Sequence, residues 1–224
     1  NSKIIKNLFF SAIGGGIGLD DTFIYTKNDY VNNYKSDAIE VNKISNISKS
    51  AFRDISRDYK HSYIIWSERL PHYIENYVIT NNSHVKINYN NEIALTYIEN
   101  KILKTFNKFE NSKIIMIANI PEPQSNVREC LKKIFFDDQI RTICDYDRQK
   151  DLKRREFVYK MYKKISKEND NFYFYDPYNA ICKSEKCSFF DKNYMPIIYD
   201  GSHLTNEYAI SLTKHFDDWF RNTF

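Results

Sequence analysis

The sequence predicts an α/β chain: a three-layer sandwich with a mostly parallel central sheet flanked by helices. Three observations predict it. Short continuous apolar runs, Ser62 to Trp66 and Lys113 to Ala118, suit strands buried on both faces of a parallel sheet. Helical patterns of ten residues or more lie between the strand-like runs, and that alternation implies parallel pairing through crossovers. Polar or turn-forming residues follow three of the strand-like runs: Trp66 to Arg69, Asn119 to Pro123 and Asp200 to His203. In open parallel sheets, ligands bind outside the carboxyl ends of the strands, so these three stretches are expected on one functional rim.

In chain order, Ser2 to Ile13 reads as a helix, because Ile4, Ile5, Leu8, Phe9 and Ala12 recur three and four apart. Gly14, Gly15 and Gly16 stop it. Asp21 to Thr26 reads as a strand, Asn28 to Ser50 as a polar surface loop, and Ala51 to Asp58 as a short helix. The loop from Asn76 to Asn91 carries one edge strand around Val85 to Ile87. Glu92 to Phe109 is a long helix with its stripe at Leu95, Ile98, Ile102, Phe106 and Phe109.

Pro121 and Pro123 end the strand that starts at Lys113. Val127 to Phe136 is a short helix carrying Cys130. Tyr146 to Lys167 is the next long helix, with Leu152, Phe157, Met161, Tyr162 and Ile165 inward. Phe172 to Tyr175 is a strand ended by Asp176-Pro177, and Pro196 to Tyr199 is a short one. The last helix, with Thr205 as its N-cap, buries Tyr208, Ala209, Leu212, Phe216, Trp219 and Phe220. All 224 residues read as a single domain.

With 42% apolar and 28% charged residues the chain should fold as a globule, and its 18 Tyr and 16 Phe make an aromatic core. The net charge is +4, and the basic runs Lys153-Arg154-Arg155 and Lys163-Lys164 fall in helical pattern and read as a solvated face. Mild basicity is the one nucleic-acid signal, so no nucleic-acid partner is expected. No run reaches the roughly 18 apolar residues of a membrane span. No signal peptide is read, and the abrupt start at Asn1 points to a piece of a larger protein.

The chemistry sits in Tyr199-Asp200-Gly201-Ser202-His203-Leu204-Thr205. An Asp and a His three residues apart on a Gly-containing turn can touch. The carboxylate then fixes the imidazole tautomer and frees the other nitrogen to act as a base toward a hydroxyl. The plainer alternative is a turn-capping Asp and a packed His. His61, His72, His84 and His215 share no ligand-like spacing, so no metal is expected. The four cysteines form two local pairs, Cys130 with Cys144 and Cys182 with Cys187. Two disulfides, a zinc site or buried free thiols are all open from spacing, although the wide first pair fits zinc poorly.

From about residue 60 onward these residues resemble the SGNH-hydrolase-like domain fused to the carboxyl side of acyltransferase-3 membrane proteins. The ending carries the resemblance: Asp176-Pro177, then Cys182, then Cys187, then Tyr199 to Thr205. Ser67-Glu68-Arg69-Leu70 and Ile120-Pro121-Glu122, ahead of Cys130, are similar to two further motifs of the family.

The resemblance implies an SGNH/flavodoxin-like hydrolase fold, two disulfides, no cofactor, and an O-acyltransferase on the periplasmic or extracellular face of the bacterial inner membrane. The membrane part would deliver the acyl group, and a cell-surface glycan such as the lipopolysaccharide O-antigen would accept it. His203 would be the general base and Asp200 its orienter, with Arg69 holding an anion or sugar. A carbohydrate esterase of the same fold and an inactive glycan-binding module are the alternatives. The family's Gly-Asp-Ser nucleophile triplet does not occur in the chain. It is expected at or before Asn1, with Ser2 as a degenerate substitute. Ser11, inside a helical pattern, and Ser202, in the turn of the base, suit the role less well.

Overall fold

The computed structural model describes residues 8–9, 23–25, 63–76, 78–80, 91–107, 109, 112–123, 130, 132, 145–193, 195–200 and 202–224. The main sheet has four strands in the order β1-β3-β5-β7: β1 at Leu8–Phe9, β3 at Tyr63–Ser67, β5 at Lys113–Ile117 and β7 at Phe172–Tyr175. β1 runs parallel to β3, with Leu8 opposite Tyr63. The backbone N–H groups of Ile114 and Ala118 donate to the carbonyls of Asn171 and Tyr175. Both partners advance by four residues, so the pairing there is parallel too. Helices connect and flank this mostly parallel sheet, as the α/β reading predicts: α1 at Leu70–Asn76, α2 at Asn91–Phe106 and α3 at Arg148–Glu168.

Two small antiparallel ribbons stand apart from it. β2 at Phe23–Tyr25 pairs with β4 at Val78–Thr80, and β6 at Tyr146–Asp147 pairs with β8 at Lys186–Cys187. Short helices α4 at Tyr178–Ile181, α5 at Asn206–Ser211 and α6 at Thr213–Thr223 complete the described elements.

By contacts the chain divides into two compact units, residues 1–116 with 157–174, and residues 117–156 with 175–224. The core of the first is aromatic and aliphatic. Trp66 packs edge-on against Phe106 and Tyr162 at 5.7 and 5.8 Å, and Ile98, Ile102, Ile114 and Ile165 are fully buried. The pattern on α2 explains this, since Ile98, Ile102 and Phe106 share one face. The second unit has its own core around Cys130, Ile181, Phe189, Ile197 and Ile198. Beside it Tyr178 packs on the Cys182–Cys187 disulfide.

Several local expectations are corrected. Leu8 and Phe9 form a strand, not part of a helix; a short apolar run satisfies both periodicities, and pairing with β3 decides. Val78–Thr80, inside the stretch read as loop, is a strand paired with β2, and the edge strand expected at 85–87 lies outside the described residues. Tyr146 and Asp147 belong to a ribbon, and α3 starts after them. Pro196 to Tyr199 makes two isolated bridges, Phe190 to Pro196 and Ile198 to Leu204, and joins no sheet strand. The final helix is two helices, of which Phe220 is the buried residue. In that last case the Ser211 and Thr213 hydroxyls donate to the Tyr208 and Ile210 carbonyls. They share the carbonyls of the turn around Leu212, whose own N–H still donates to Tyr208 and Ala209, and such hydroxyl competition loosens and bends a helix there.

Candidate active site

Thr205 begins the site's framework. Its Oγ1 accepts from the Tyr208 backbone N–H and donates to the Pro196 carbonyl at 2.7 Å, capping α5 as predicted. The Thr205 N–H donates to the Ile197 carbonyl, and the Tyr199 N–H to the His203 carbonyl. These bonds close residues 196–205 into a tight loop with Leu204 and Ile198 in the core. Asp200 sits at its tip.

The Asp200 carboxylate does two jobs. Its Oδ1 accepts the backbone N–H groups of Ser202 and His203, both at 3.0 Å, which sets the turn. Its Oδ2 lies 2.6 Å from His203 Nδ1. Burial would raise this carboxyl, but the two N–H donors and the imidazole outweigh it and hold it below the ordinary carboxylate range. It therefore remains an anion facing Nδ1, which fixes the tautomer with the proton on Nδ1. Nε2 is left as the basic nitrogen, and the side chain is 62% exposed. The Tyr199 ring lies 5.9 Å from the imidazole at a shallow tilt. The geometry is that of a carboxylate orienting an imidazole, and among the described residues of the turn no hydroxyl faces Nε2. Ser202 Oγ is 3.4 Å from Nδ1, the nitrogen that faces Asp200, so it does not address the free one.

The other expected residues fall as follows. Ser2 and Cys144 lie outside the described residues. Arg69 belongs to the first unit, half-buried between β3 and α1, where its carbonyl accepts the Tyr73 N–H. Cys182 and Cys187 form a disulfide with Cα atoms 5.0 Å apart, and Cys130 is disulfide-bonded as well.

Sequence reasoning missed one group. Arg155, read as solvated, is 2% exposed. Its Nη1 donates to the carbonyls of Asn119 and Ile120 at 2.6 and 2.8 Å, and its Nη2 to both Asp151 oxygens. Tyr178 covers the guanidinium at 4.9 Å and donates to Asp151 Oδ2 at 2.9 Å. Arg154 pairs with the buried Glu122 at 3.3 Å. The basic run thus holds the segment leaving β5, and its lysine alone faces water. The signal was available: Asp151, Arg155, Val158, Tyr162 and Ile165 recur at spacings of four and three, which puts the charged pair on the buried stripe.

Among the described residues no helix is long and apolar enough to cross a membrane. No curated protein matches the chain. A similar solved structure is the periplasmic domain of the lipopolysaccharide acetyltransferase of Salmonella ser. Paratyphi A, with a TM-score of 0.55 at 16% identity. The match covers 80% of this chain and 63% of that one, and it speaks to the fold. Residues 25–218, spanning both compact units, match the model of SGNH domains fused to AT3 domains, so the chain belongs to that family.

Proposed function

We propose that residues 1–224 form one SGNH domain of a membrane O-acyltransferase. It acts on the periplasmic face of the bacterial inner membrane and moves an acyl group, acetyl foremost, onto a hydroxyl of a cell-surface glycan such as the lipopolysaccharide O-antigen. The observation that carries this is the 2.6 Å contact between Asp200 and His203, with Nε2 left open to solvent. Family membership and the likeness to an acetyltransferase's periplasmic domain support it.

The steps follow from the residues. His203 Nε2 takes the proton of a serine hydroxyl as its oxygen attacks the acyl donor supplied by the fused or associated membrane domain. The imidazolium then protonates the leaving group. In the second half, Nε2 takes the proton of a glycan hydroxyl. That oxygen bonds to the acyl carbon, the serine ester bond breaks, and the serine oxygen regains a proton. Asp200 holds the imidazole throughout. Three positions are proposed for the ester: a serine upstream of Asn1, Ser2, and Ser11, which follows β1 by two residues in the chain. The strand at Leu8–Phe9 removes the helical argument against Ser11. Arg69 is proposed to hold an anionic or sugar group, and no cofactor is needed.

A full-length protein without Gly-Asp-Ser would favour one rival, an inactive glycan-binding module. His203→Ala separates the two. Acyl transfer should fall by three or more orders of magnitude with the circular dichroism spectrum unchanged. Equal transfer by both proteins rejects the role of His203, and no transfer by either favours the binding module.

A further inference from the structure

We propose that the cavity beside the Asp200–His203 turn is the acceptor subsite and that it takes one uncharged hexopyranose residue; this rests on the acyl-transfer reading above. The cavity holds about 240 Å³, and its lining includes Asp191, Met195, Pro196, Thr205, Glu207 and Tyr208. That is room for a single sugar ring.

Its position follows from the loop. Leu204 faces the core beside Ile198. Side chains alternate along extended backbone, so His203 and Thr205 project to the other side. Thr205 lines the cavity. Alternate residues of an extended chain are roughly 6.5 Å apart, so His203, which does not itself line the cavity, stands one such step from Thr205, which does.

The lining matches the chemistry of a pyranose, which has an apolar C–H face and a rim of hydroxyls. Met195, Pro196 and Tyr208 supply the apolar surface. Asp191 Oδ1 is held by the backbone N–H groups of Asn193 and Met195, at 2.8 and 2.9 Å. That anchors the carboxylate and leaves Oδ2 to accept from a ligand. Among the described residues the Glu207 carboxylate and the Tyr208 hydroxyl make no hydrogen bond, so both have capacity to spend on a ligand.

Among the described residues, two carboxylates and no cation line the cavity. A uronic or sialic acid would bring a third negative charge into it, and like charges brought together are disfavoured. The electrostatics therefore select an uncharged sugar.

Methionine-methyl NMR tests this without relying on catalysis. The chain has three methionines; Met116 and Met161 are buried, whereas Met195 is 51% exposed and lines the cavity. With ¹³C-methyl methionine in the 224-residue chain, the methyl glycosides of glucose, galactose, mannose and rhamnose are titrated, with methyl glucuronide as the charged control. A saturable shift confined to Met195 with at least one neutral glycoside is expected. It should weaken tenfold or more in Asp191→Asn/Glu207→Gln, and the glucuronide should give none. No shift with any of the four, or equal binding of the glucuronide, overturns the proposal. In His203→Ala the Met195 shift should persist while transfer stops. If both persist, the subsite stands and the role of His203 fails; if the shift is seen and neither protein transfers, the subsite stands and the acyl-transfer reading fails.

Discussion

Arg155 Nη1 donates to the Asn119 carbonyl at 2.6 Å, tying α3 to the backbone that leaves β5. This buried cation has a buried partner, Asp151, which is 3% exposed. Such a pair adds little over an apolar replacement of both members, but breaking it strands a charge. Arg155→Met should therefore cost about 3–5 kcal/mol, read from the urea midpoint. Arg155→Lys should also destabilise, because an ammonium lacks the planar fork that serves two carbonyls and a carboxylate at once. A loss under about 1 kcal/mol in Arg155→Met, the scale of an exposed pair, would contradict this role.

The same network meets the disulfide. The Tyr178 hydroxyl that donates to Asp151 lies 3.6 Å from Cys187 Sγ. Cys182 and Cys187 are five residues apart, so in the chain-entropy model the bridge contributes about 2 kcal/mol. Cys182→Ser/Cys187→Ser should lower stability by that order and lower the melting temperature. A melting temperature unchanged by both the double substitution and reductant would contradict it.

At the carboxyl end of β7 the Tyr175 hydroxyl lies 2.7 Å from His215 Nδ1. Burial first, and the charge of Asp176 second, push its phenol from 10.0 up to about 12. Between those values the unfolded chain gives up a proton that the folded chain keeps. The stabilisation is full below about pH 10 and is lost as the pH rises toward 12. Tyr146 and Tyr162 are raised by burial in the same direction. The melting temperature should fall across that window, and less steeply in Tyr175→Phe. Identical slopes for the two proteins would contradict the assignment to Tyr175.

The sequence was legible where one physical term dominated. The runs at Tyr63–Ser67 and Lys113–Ile117 carry the apolar stretches Ile64 to Trp66 and Ile114 to Ile117, and α2 has a continuous stripe, so burial dictated them. The Asp200–His203 contact follows from spacing on a turn, and the Thr205 cap from a hydroxyl ahead of a helix. Legibility failed where tertiary partners decided. Leu8 and Phe9 become a strand because β3 offers a backbone edge. Arg155 turns inward because Asp151, Tyr178 and two carbonyls from a distant segment neutralise and bond it, which composition cannot display. His215 finds Tyr175 forty residues away.

The measurement that bears most directly on the Asp200–His203 dyad is trapping of a serine ester. The chain, and a version extended upstream, are incubated with an activated acetyl ester or a sulfonyl fluoride, and any adduct is located by mass spectrometry. A single serine should be labelled, at Ser2, Ser11 or an upstream position. The label should fall to background in His203→Ala. No adduct on either folded protein, or labelling indifferent to His203, would contradict an acyl-transfer site built on this pair.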